Sequence, residues 1–301
     1  MSEALMQWPD IIQPTTEDCQ RIFHGRGQEG HPFEHVCVDW FAPVVLFTLY
    51  KAVDSTWLSA FVETLRLMSP GCQAVCVQCR YQNQGPLVTV WGDVPDPLIV
   101  TERGLCFQIK LTKNQNHGLF LDIANGRQWV REQSKGRRVL NLFAYRCAFS
   151  VSAIAGGAQS VLNIDMSKSA LQQGRENHRL NHHDLRSVQY ASLDIFKSWS
   201  RLKRSGPFDL LVCDPPTFQK GSVDIERDYK KIIRRIPEFM ADNADVLLCL
   251  NAPHLSEDFL MDAVNLHCPE CEFIDRIENP SEFIESDPNK GLKVLHFKYI
   301  A

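Results

Sequence analysis

An acidic residue follows each of three apolar runs in the sequence. Each of these acids could bind part of a ligand. Asp165, Asp194 and Asp214 each follow a run of the kind that forms a buried strand, and Pro215 and Pro216 come directly after Asp214. Proline donates no hydrogen bond to a sheet and keeps the preceding residue extended. The strand that leads to Asp214 must therefore end there. Ligands of open α/β sheets bind at the carboxyl ends of the strands. The pattern predicts three carboxylates along one ligand-binding edge.

The spacing of these acids favours a nucleotide-like cofactor. One acid at a strand end is usually a turn former or a helix cap, but three in succession are harder to explain in that way. Asp165 follows Asn141 at roughly the 20-residue distance at which an acid takes ribose hydroxyls. The segment 139–155 contains no glycine and therefore lacks a loop for a pyrophosphate. A cofactor with a ribose but no phosphate fits, and we expect S-adenosylmethionine.

The elements that must position these acids alternate from about residue 100 onward. Strands are predicted at 137–145, 160–167, 186–194, 208–216, 244–253, 271–278 and 293–300, and helices at 149–159, 167–181, 225–242 and 256–267. This alternation is typical of an α/β fold with a doubly wound, mostly parallel sheet. The last two strands have no helix between them, so we expect their pairing to be antiparallel.

The first hundred residues have a different pattern. Strand-like runs occur at 35–41, 44–50, 73–81 and 86–93, and an amphipathic helix is predicted over 55–70. These elements predict a small α+β domain over residues 1–97, which we expect to serve substrate recognition. The segment "DVPDPL" then joins it to a catalytic domain over residues 98–301.

Composition limits the class of protein. The hydrophobic content of 44% is that of an ordinary globular protein, and the net charge of −4 provides no general attraction to nucleic acid. The 11 cysteines lack the spacing of a disulfide framework and indicate reduced thiols. The first 14 residues do not resemble a signal peptide, and the apolar segment 40–50 is too short for a membrane span. We expect a cytoplasmic protein without a membrane partner.

Several motifs in order along the chain match a known family. They are "GLFLD" (118–122), "VLNLFAY" (139–145), "NIDMSKSAL" (163–171), "ENHRLN" (176–181) and "DPPTF" (214–218). With them, the chain resembles the bacterial 23S ribosomal RNA methyltransferases that make 5-methylcytosine or 7-methylguanine, a class I S-adenosylmethionine-dependent family. The similarity covers roughly residues 19–300 and includes "FHGRGQEGHPFEHVCVDWF" in the small domain.

The resemblance implies a seven-stranded Rossmann-like methyltransferase sheet, with 23S ribosomal RNA as the expected partner. It places Asp165 at the ribose hydroxyls, Asp194 at the adenine, and Asp214 at the methionine ammonium and the reacting methyl group. The residues implied at the cofactor are Phe120, Asp122, Arg127, Asn141, Phe143, Tyr145, Asp165, Met166, Asp194 and Asp214.

The resemblance also implies the catalytic residues, which are Asp214, Pro215, Pro216, Phe218 and Asn251. The carbonyl groups of the two prolines would offer rigid acceptors to the substrate, and Phe218 would stack on an extruded base. Together these groups would hold methyl donor and acceptor in line, so that positioning supplies most of the rate.

The residues after the predicted strand 244–253 favour a nitrogen as the methylated atom. Methylation of cytosine carbon 5 requires a cysteine thiolate, and the position of that cysteine in the cytosine-type relatives is Ala252 here. Cys249 lies inside the strand, where an inert buried thiol is expected. The guanine-type relatives have asparagine at the position of Asn251. A guanine nitrogen is therefore expected as acceptor, oriented by Asn251 without a covalent intermediate.

Two departures from the family pattern leave other functions open. Arg146-Cys147 stands where the family has Thr-Gly, so a side chain occupies a place where backbone should approach the cofactor. Ala124 stands where the family has an arginine. The alternatives are a protein side-chain amide N-methyltransferase and a catalytically inactive RNA- or ribosome-binding factor that keeps the fold.

Three further clusters suggest rival interpretations. Cys72, Cys76 and Cys79 have the spacing of an iron–sulfur loop, but they lie in a strand-like run in which buried thiols are expected. The turn His182-His183-Asp184 resembles a metal-ligand pair but is expected to be solvated, so no metal is predicted. Basic residues at 201–204 and 230–235 could form a phosphate-binding face or a solvated helix surface, and for the second cluster the two interpretations are about equally favoured.

Overall fold

The computed structural model describes residues 9–14, 17–69, 71–111, 116–219 and 223–301. Two predictions extend beyond these ranges. The first eight residues of the predicted small domain, which also belong to the segment compared with a signal peptide, lie outside the described residues. The same is true of Pro70, the predicted end of the helix over 55–70.

The chain forms two compact units. The first comprises residues 1–121 and 281–286, and the second comprises residues 122–280 and 287–301. The division after Leu121 lies beyond the predicted boundary near residue 97, because the intervening segment pairs with the start of the chain. Thr101 forms a parallel bridge with Asp18, and its carbonyl accepts a hydrogen bond of 2.7 Å from the Cys19 amide.

The first unit is built on a five-stranded sheet covered by one helix. Its strands, with helix α1 (Ser55–Met68) between the third and fourth, are β1 (Gln20–His24), β2 (Val36–Phe41), β3 (Val44–Leu49), β4 (Ala74–Cys79) and β5 (Leu87–Gly92). They pair in sequence order, antiparallel except for β3 and β4. The helix makes the crossover that a parallel pair needs. A separate hairpin of β6 (Leu98–Glu102) and β7 (Leu105–Ile109) completes the unit, so the predicted small α+β fold is confirmed.

The second unit alternates strands and helices. Its strands are β8 (Arg138–Leu142), β9 (Ser160–Asp165), β10 (Val188–Ser192), β11 (Phe208–Cys213), the two-residue β12 (Phe218–Gln219) and β13 (Val223–Asp224), β14 (Met240–Leu250), β15 (Cys271–Arg276) and β16 (Lys293–Tyr299). Its helices are α2 (Ala124–Gln133), α3 (Ala148–Ala155), α4 (Lys168–Leu180), α5 (Trp199–Ser205), α6 (Ile225–Ile233) and α7 (Asp258–His267).

Seven of these strands form one sheet in the order β10-β9-β8-β11-β14-β16-β15. The first five are parallel, while β16 is antiparallel to both of its neighbours. The predicted α/β fold with a doubly wound, mostly parallel sheet and an antiparallel last pairing is therefore confirmed. The order of the strands reverses between β8 and β11, because the chain builds the sheet outward in both directions from β8. A reversal of this kind leaves a ligand-binding crevice at the carboxyl ends of the strands.

The helices cover the two faces of this sheet with separate apolar cores. Residues of α2 and α3, such as Val130 and Ala153, pack on one face with Val139 and Val161 of the strands. Residues of α5, α6 and α7, such as Leu202 and Ile232, pack on the other face. Among the helices in the described part of the chain, none has the length and apolar character needed to cross a membrane.

The predicted helix over 225–242 is wrong in its second half. The structure ends α6 at Ile233, forms a single turn at Ile236–Glu238, and begins β14 at Met240. Pro237 explains the difference, because proline has no amide hydrogen for the helical ladder and clashes with the preceding turn.

Helices α2 and α5, strand β1 and the β6–β7 hairpin are not predicted from the sequence. Each is short, and α5 buries only Leu202 among its residues, so its apolar pattern gives almost no periodic signal. The interior of α2 contains Asn125 and Gly126, which are weak helix formers.

Tyr229 of α6 joins the carboxyl ends of two central strands. Its ring is buried, and its hydroxyl donates to the carbonyl oxygens of Cys213 (3.2 Å) and Cys249 (3.0 Å). These carbonyls belong to β11 and β14, so one hydroxyl holds together the two strand ends that carry the predicted catalytic residues.

We expect Tyr229→Phe to lower the free energy of unfolding by about 1–3 kcal/mol, because both buried carbonyls lose this donor. Tyr190→Phe is the matched control, since the Tyr190 hydroxyl is buried without a hydrogen-bond partner among the described residues. Urea denaturation of both variants tests the prediction. Equal effects of the two substitutions would contradict it.

Candidate functional site

The register of the parallel strands brings the three predicted acids to one edge. Asp165 pairs with Ser192 across β9 and β10, and Leu142 of β8 pairs with both Ile164 and Cys213. Asp165 therefore ends its strand, Asp214 follows its strand directly, and Asp194 comes two residues after β10.

The loop after β8 has an unusual backbone. Phe143, Tyr145 and Cys147 have φ angles of 57°, 45° and 60°, in the left-handed region that residues with a side chain rarely adopt. Residues held in such conformations cost on the order of 1–3 kcal/mol each and persist only where the surroundings fix them. Strain of this kind clusters at functional sites, which marks this loop as a candidate.

Strand β9 and helix α4 hold this loop in place. The amides of Ala144 and Tyr145 donate to the Ile164 carbonyl (3.0 Å) and to Asp165 Oδ2 (2.8 Å). Asn177 of α4 donates from Nδ2 to the Arg146 carbonyl at 3.0 Å. The second carboxylate oxygen of Asp165 accepts from the Ser167 amide at 2.7 Å. Asp165 thus fixes the backbone of two loops that lead away from the sheet edge.

Cys147 is accommodated by a glycine on the neighbouring helix. Its side chain is fully buried, and burial raises the pKa of its thiol. A Cβ added to Gly174 of α4 would lie 2.4 Å from Cys147 Sγ, so only glycine leaves room for the thiol. Cys147 keeps the left-handed backbone that glycine would provide, and its side chain is directed to α4. The Arg146 guanidinium lies over the Tyr145 ring, 5.3 Å from its centre.

A buried chain of polar side chains lies behind the same strands. Asn141 Nδ2 donates to Asn163 Oδ1 (2.9 Å), and Asn163 Nδ2 donates to Ser150 Oγ (3.0 Å). The Ser150 hydroxyl lies 2.9 Å from His178 Nε2, and His178 Nδ1 lies 3.0 Å from His183 Nδ1. Burial, with a smaller effect of His183, lowers the pKa of His178 to about 3, so the ring is neutral at pH 7.

His183 belongs to this buried row of polar side chains, whereas the sequence predicts a solvated turn for it. Its ring is half-buried against His178, with 5.2 Å between ring centres, whereas His182 is exposed. In the part of the chain that the structure describes, no group of three or more His, Cys, Asp and Glu side chains is arranged to hold a metal ion. Cys72, Cys76 and Cys79 are among the described residues and therefore form no such group.

Asp214 occupies an electrostatically unfavourable position. Its side chain is half-buried after β11. Burial and, secondarily, the nearby Asp122 carboxylate raise the pKa of Asp214 to about 7, against an opposing effect of the Arg127 guanidinium. A carboxyl group in this environment favours a cationic ligand, because a positive charge would stabilise its ionised form against both the burial and the nearby Asp122 carboxylate.

The residues around these acids differ in their surroundings. Asp122 lies in the single turn Leu121–Ile123 before α2, and Arg127 is buried within that helix. Phe143 is half-buried, Met166 is exposed, and Phe120, which is also exposed, belongs to the first unit.

Asp194 has local partners. Its Oδ1 accepts from the Phe196 amide at 2.9 Å, and its Oδ2 lies 3.2 Å from Lys197 Nζ. Asp194 caps a turn, which is the ordinary role of an acid at a strand end. A contact between Asp194 and an adenine remains a prediction.

The loop after Asp214 is tied to the loop after β14. The Thr217 hydroxyl donates to the backbone carbonyl of Asn251. The side chain of Asn251 is exposed. Pro215 is buried, Pro216 is exposed, and the ring of Phe218 is 69% exposed. A large aromatic ring with this exposure is available for stacking on a flat ligand.

Lys293 is a site residue that sequence reasoning missed. It is fully buried at the start of β16, and its ammonium donates to the carbonyls of Ala252 (2.9 Å) and Asn289 (2.6 Å). With Thr217, it fixes two consecutive carbonyls beside the Asn251 side chain. A lysine that opens an apolar strand gives no signal of burial in the sequence, because lysines are rarely buried.

A family model of S-adenosylmethionine-dependent methyltransferases matches residues 20–298. The chain belongs to this family. The resemblance seen in the motifs is thereby confirmed, and so is the expected cofactor class.

Curated relatives are named for ribosomal RNA. Ribosomal RNA large subunit methyltransferase K/L of Shewanella sp. (strain MR-4) is 37% identical over 162 residues, which are 51% of this chain and 23% of that protein. Ribosomal RNA large subunit methyltransferase I of Erwinia tasmaniensis is 31% identical over 225 residues, 71% of this chain and 56% of that protein. The chain thus spans between about a fifth and two thirds of the length of these curated relatives.

A solved structure supports the architecture over nearly the whole chain. It is that of a Streptococcus mutans protein proposed to be an S-adenosylmethionine-dependent methyltransferase. It is 25% identical, has a TM-score of 0.82, and the match covers 93% of this chain and 74% of that one.

The site residues fit S-adenosylmethionine. The cofactor brings a sulfonium and an ammonium group, and the acidic pair Asp122 and Asp214 would be relieved by such charges. The loop after β8 contains no glycine and has no phosphate cradle, which agrees with a cofactor that carries no phosphate.

We expect Gly174→Ala to destabilise the protein by about 1–3 kcal/mol, because the added methyl group would overlap Cys147 Sγ. Cys147→Gly removes the obstacle and suits the left-handed backbone, so the Cys147→Gly/Gly174→Ala double variant should recover most of the lost stability. Thermal and urea unfolding of the four proteins form a double-mutant cycle. Additive losses in the double variant would show that the two side chains do not compete for one space.

We expect Asp214→Asn to stabilise the ligand-free protein at pH 8, on the order of 2 kcal/mol. The folded-state pKa near 7 lies above the ordinary value of 3.8, so the folded state binds more protons between these values. Wild-type stability should therefore fall as pH rises from 4 to 7, and the variant should lose this dependence. Urea unfolding at pH 4.5 and 8 measures both effects.

Asp194→Asn is the control for this prediction. Asp194 stands at the same edge, but its carboxylate caps a turn and pairs with Lys197, so its replacement should not stabilise the protein at pH 8. A fall in stability of Asp214→Asn at pH 8 would contradict the raised pKa of Asp214.

Proposed function

We propose that the protein transfers a methyl group from S-adenosylmethionine to a nitrogen of a ribosomal RNA base, with guanine as the favoured base and 23S ribosomal RNA as the substrate. The observation that carries this proposal is the loop Asp214-Pro215-Pro216-Thr217-Phe218, tied by Thr217 to the loop of Asn251. It sets a carboxylate with a raised pKa, an exposed aromatic ring and an exposed amide at one edge of the sheet.

The names of the relatives support RNA as the substrate. The 31% identity to a large subunit methyltransferase extends over 71% of this chain, far beyond a single motif. The exposed ring of Phe218 is the group that an enzyme needs to stack on a base taken out of its helix.

The surroundings of Asn251 support nitrogen rather than cytosine carbon 5. Ala252 is fully buried and has no nucleophile, and the thiol of Cys249 is buried inside β14. Burial raises the pKa of Cys249 well above its ordinary value, with further contributions from Asp214, Cys213 and Asp122. A thiolate, the form needed for covalent attack, is therefore strongly disfavoured.

Each catalytic residue has a role that its environment permits. Bound S-adenosylmethionine supplies an electrophilic methyl group. Asp214 holds the positive charge of the cofactor, the carbonyl groups of Pro215 and Pro216 accept hydrogen bonds from the base, and Asn251 orients it. A guanine nitrogen with a lone pair needs orientation more than activation, so fixed geometry is the main contribution of the protein.

The cofactor contacts belong to the same proposal. Asp165 binds the ribose hydroxyls and Asp194 the adenine, while Asp122 and Asp214 face the cationic methionine end. The other proposed contacts are Phe120, Arg127, Asn141, Phe143, Tyr145 and Met166. The direction of the Cys147 side chain toward Gly174 favours an active enzyme over the inactive factor, because it removes the expected obstacle to the cofactor.

We expect calorimetry to detect binding of S-adenosylmethionine without added metal, and Asp165→Ala to weaken it at least about tenfold, since its carboxylate fixes two cofactor loops. Asp275→Ala, on the edge strand β15, is the matched control and should bind normally. Absence of binding heat and of a melting shift in wild type would contradict the cofactor assignment.

We expect labelled methyl groups to enter ribosomal RNA in a fractionated cell extract, and digestion to nucleosides to identify methylated guanine. Asp214→Asn should reduce transfer at least about 100-fold while leaving the protein folded. A denaturation-stable adduct with 5-fluorocytosine-substituted RNA, or 5-methylcytosine as product, would contradict transfer to nitrogen. Label in the protein fraction instead of RNA would favour the amide methyltransferase.

A further inference from the structure

Helices α5 and α6 lie on the same face of the seven-stranded sheet and present basic side chains to solvent. We propose that this face, defined by Arg201, Lys203, Arg204, Lys230 and Arg234, binds the phosphate backbone of the RNA substrate. This inference rests on the proposed function and adds a surface at which the RNA is held apart from the methylated base.

Helix α5 itself contains no acidic residue. The segment 195–208 contains four cations and no aspartate or glutamate. Leu202 is fully buried, while Ser200, Arg201, Lys203 and Arg204 are exposed. The outer side of this helix is therefore almost entirely cationic.

The cations on and just after helix α6 form two groups, those that pair with an acid and those that do not. Arg227 and Lys231 pair with the buried Asp228 at 2.8 Å and 2.7 Å, and Arg235 pairs with Glu238 at 2.8 Å. Lys230 and Arg234 are exposed, one turn apart.

The five residues of the proposed face have no ion pair with any described residue. No described acid lies within ion-pair distance of them, whereas Arg227, Lys231 and Arg235 of the same surface each pair with an acid. An excess of positive charge on one face is notable in a protein of net charge −4.

Contacts between the helices make this one surface. The Lys231 ammonium lies 5.9 Å from the ring centre of Phe196, and the Arg235 guanidinium lies 5.3 Å from that of Trp199. Phe196 lies in the turn before α5, and Trp199 is the first residue of α5. Cation–aromatic packing fixes the helices side by side, with the unpaired cations outward.

The proposed face continues from the candidate site along the chain. Phe218 of β12 pairs with Asp224 of β13, and α6 begins at the next residue. From Ile225 the helix carries Lys230 and Arg234 away from the site, over a rise of about 14 Å. A strand of RNA with one base at Phe218 would meet these cations with its flanking phosphates. Regularly spaced phosphates fit a row of unpaired arginines and lysines.

The test is a matched pair of fourfold variants. Lys203, Arg204, Lys230 and Arg234 are changed to glutamine in the first, and Lys135, Arg175, Arg179 and Arg186 in the second. The control positions are also exposed, three of them on or directly after α4, and the change in net charge is equal. Filter binding of protein-free large-subunit ribosomal RNA is measured over a salt series, with S-adenosylmethionine affinity measured by calorimetry.

We expect the first variant to bind this RNA at least roughly tenfold more weakly at 0.1 M salt, with a shallower salt dependence and unchanged cofactor affinity. The control variant should bind like wild type. Equal losses in both variants would overturn the proposed face, as would wild-type RNA binding by the first. Competition by polyglutamate as effective as that by RNA would indicate an acidic protein partner and also overturn it.

The outcomes separate this inference from the proposed function. If wild type methylates RNA and the first variant binds RNA normally, the face is wrong and the function stands. If wild type methylates no RNA but binds it through these four cations, the function is wrong and the face stands.

Discussion

The burial of the Asp214 carboxylate beside Asp122 is the constraint on which the rest of the site depends. A folded protein gains nothing from burying one carboxylate beside another, and burial, with a smaller effect of Asp122, raises the pKa of Asp214. The sheet accepts this arrangement because its parallel strands direct their carboxyl ends to one edge, where a cationic cofactor can neutralise the acids. With the proposed cofactor contacts, stability of the protein alone is given up for affinity, as is common at functional sites.

Such a site needs rigid support, and the structure provides it through hydrogen bonds from side chains to backbone. Tyr229 holds the ends of β11 and β14, while Thr217 and Lys293 hold successive carbonyls after β14. On the other side of the crevice, Asp165 binds the amides of two loops. These contacts keep strained and repelling groups in place before any ligand binds, so less order has to be created during binding.

The sequence predicts the architecture well, because alternating strands and helices leave few topologies. It also predicts that Asp165 and Asp214 lie at strand ends, since an apolar run followed by an acid, and in one case by two prolines, is a local signal. The accommodation of Cys147 by Gly174 is beyond such reasoning, because it depends on two distant residues meeting in space. The same holds for buried Lys293, whose ammonium binds the distant Ala252 carbonyl. The end of α6 before Pro237 and the cap at Asp194 are local features, which a proline and a strand-end acid do indicate in a sequence.

Proton release on cofactor binding tests the central claim most directly. Calorimetric titration with S-adenosylmethionine at pH 6.5, in two buffers of different ionisation enthalpy, measures the protons released per cofactor bound. If the positive charge of the cofactor stabilises the ionised Asp214 carboxylate, the pKa of Asp214 must fall on binding. Wild type should then release roughly half a proton or more. Asp214→Asn should release almost none. Binding by wild type without proton release, or equal release by the variant, would contradict the account.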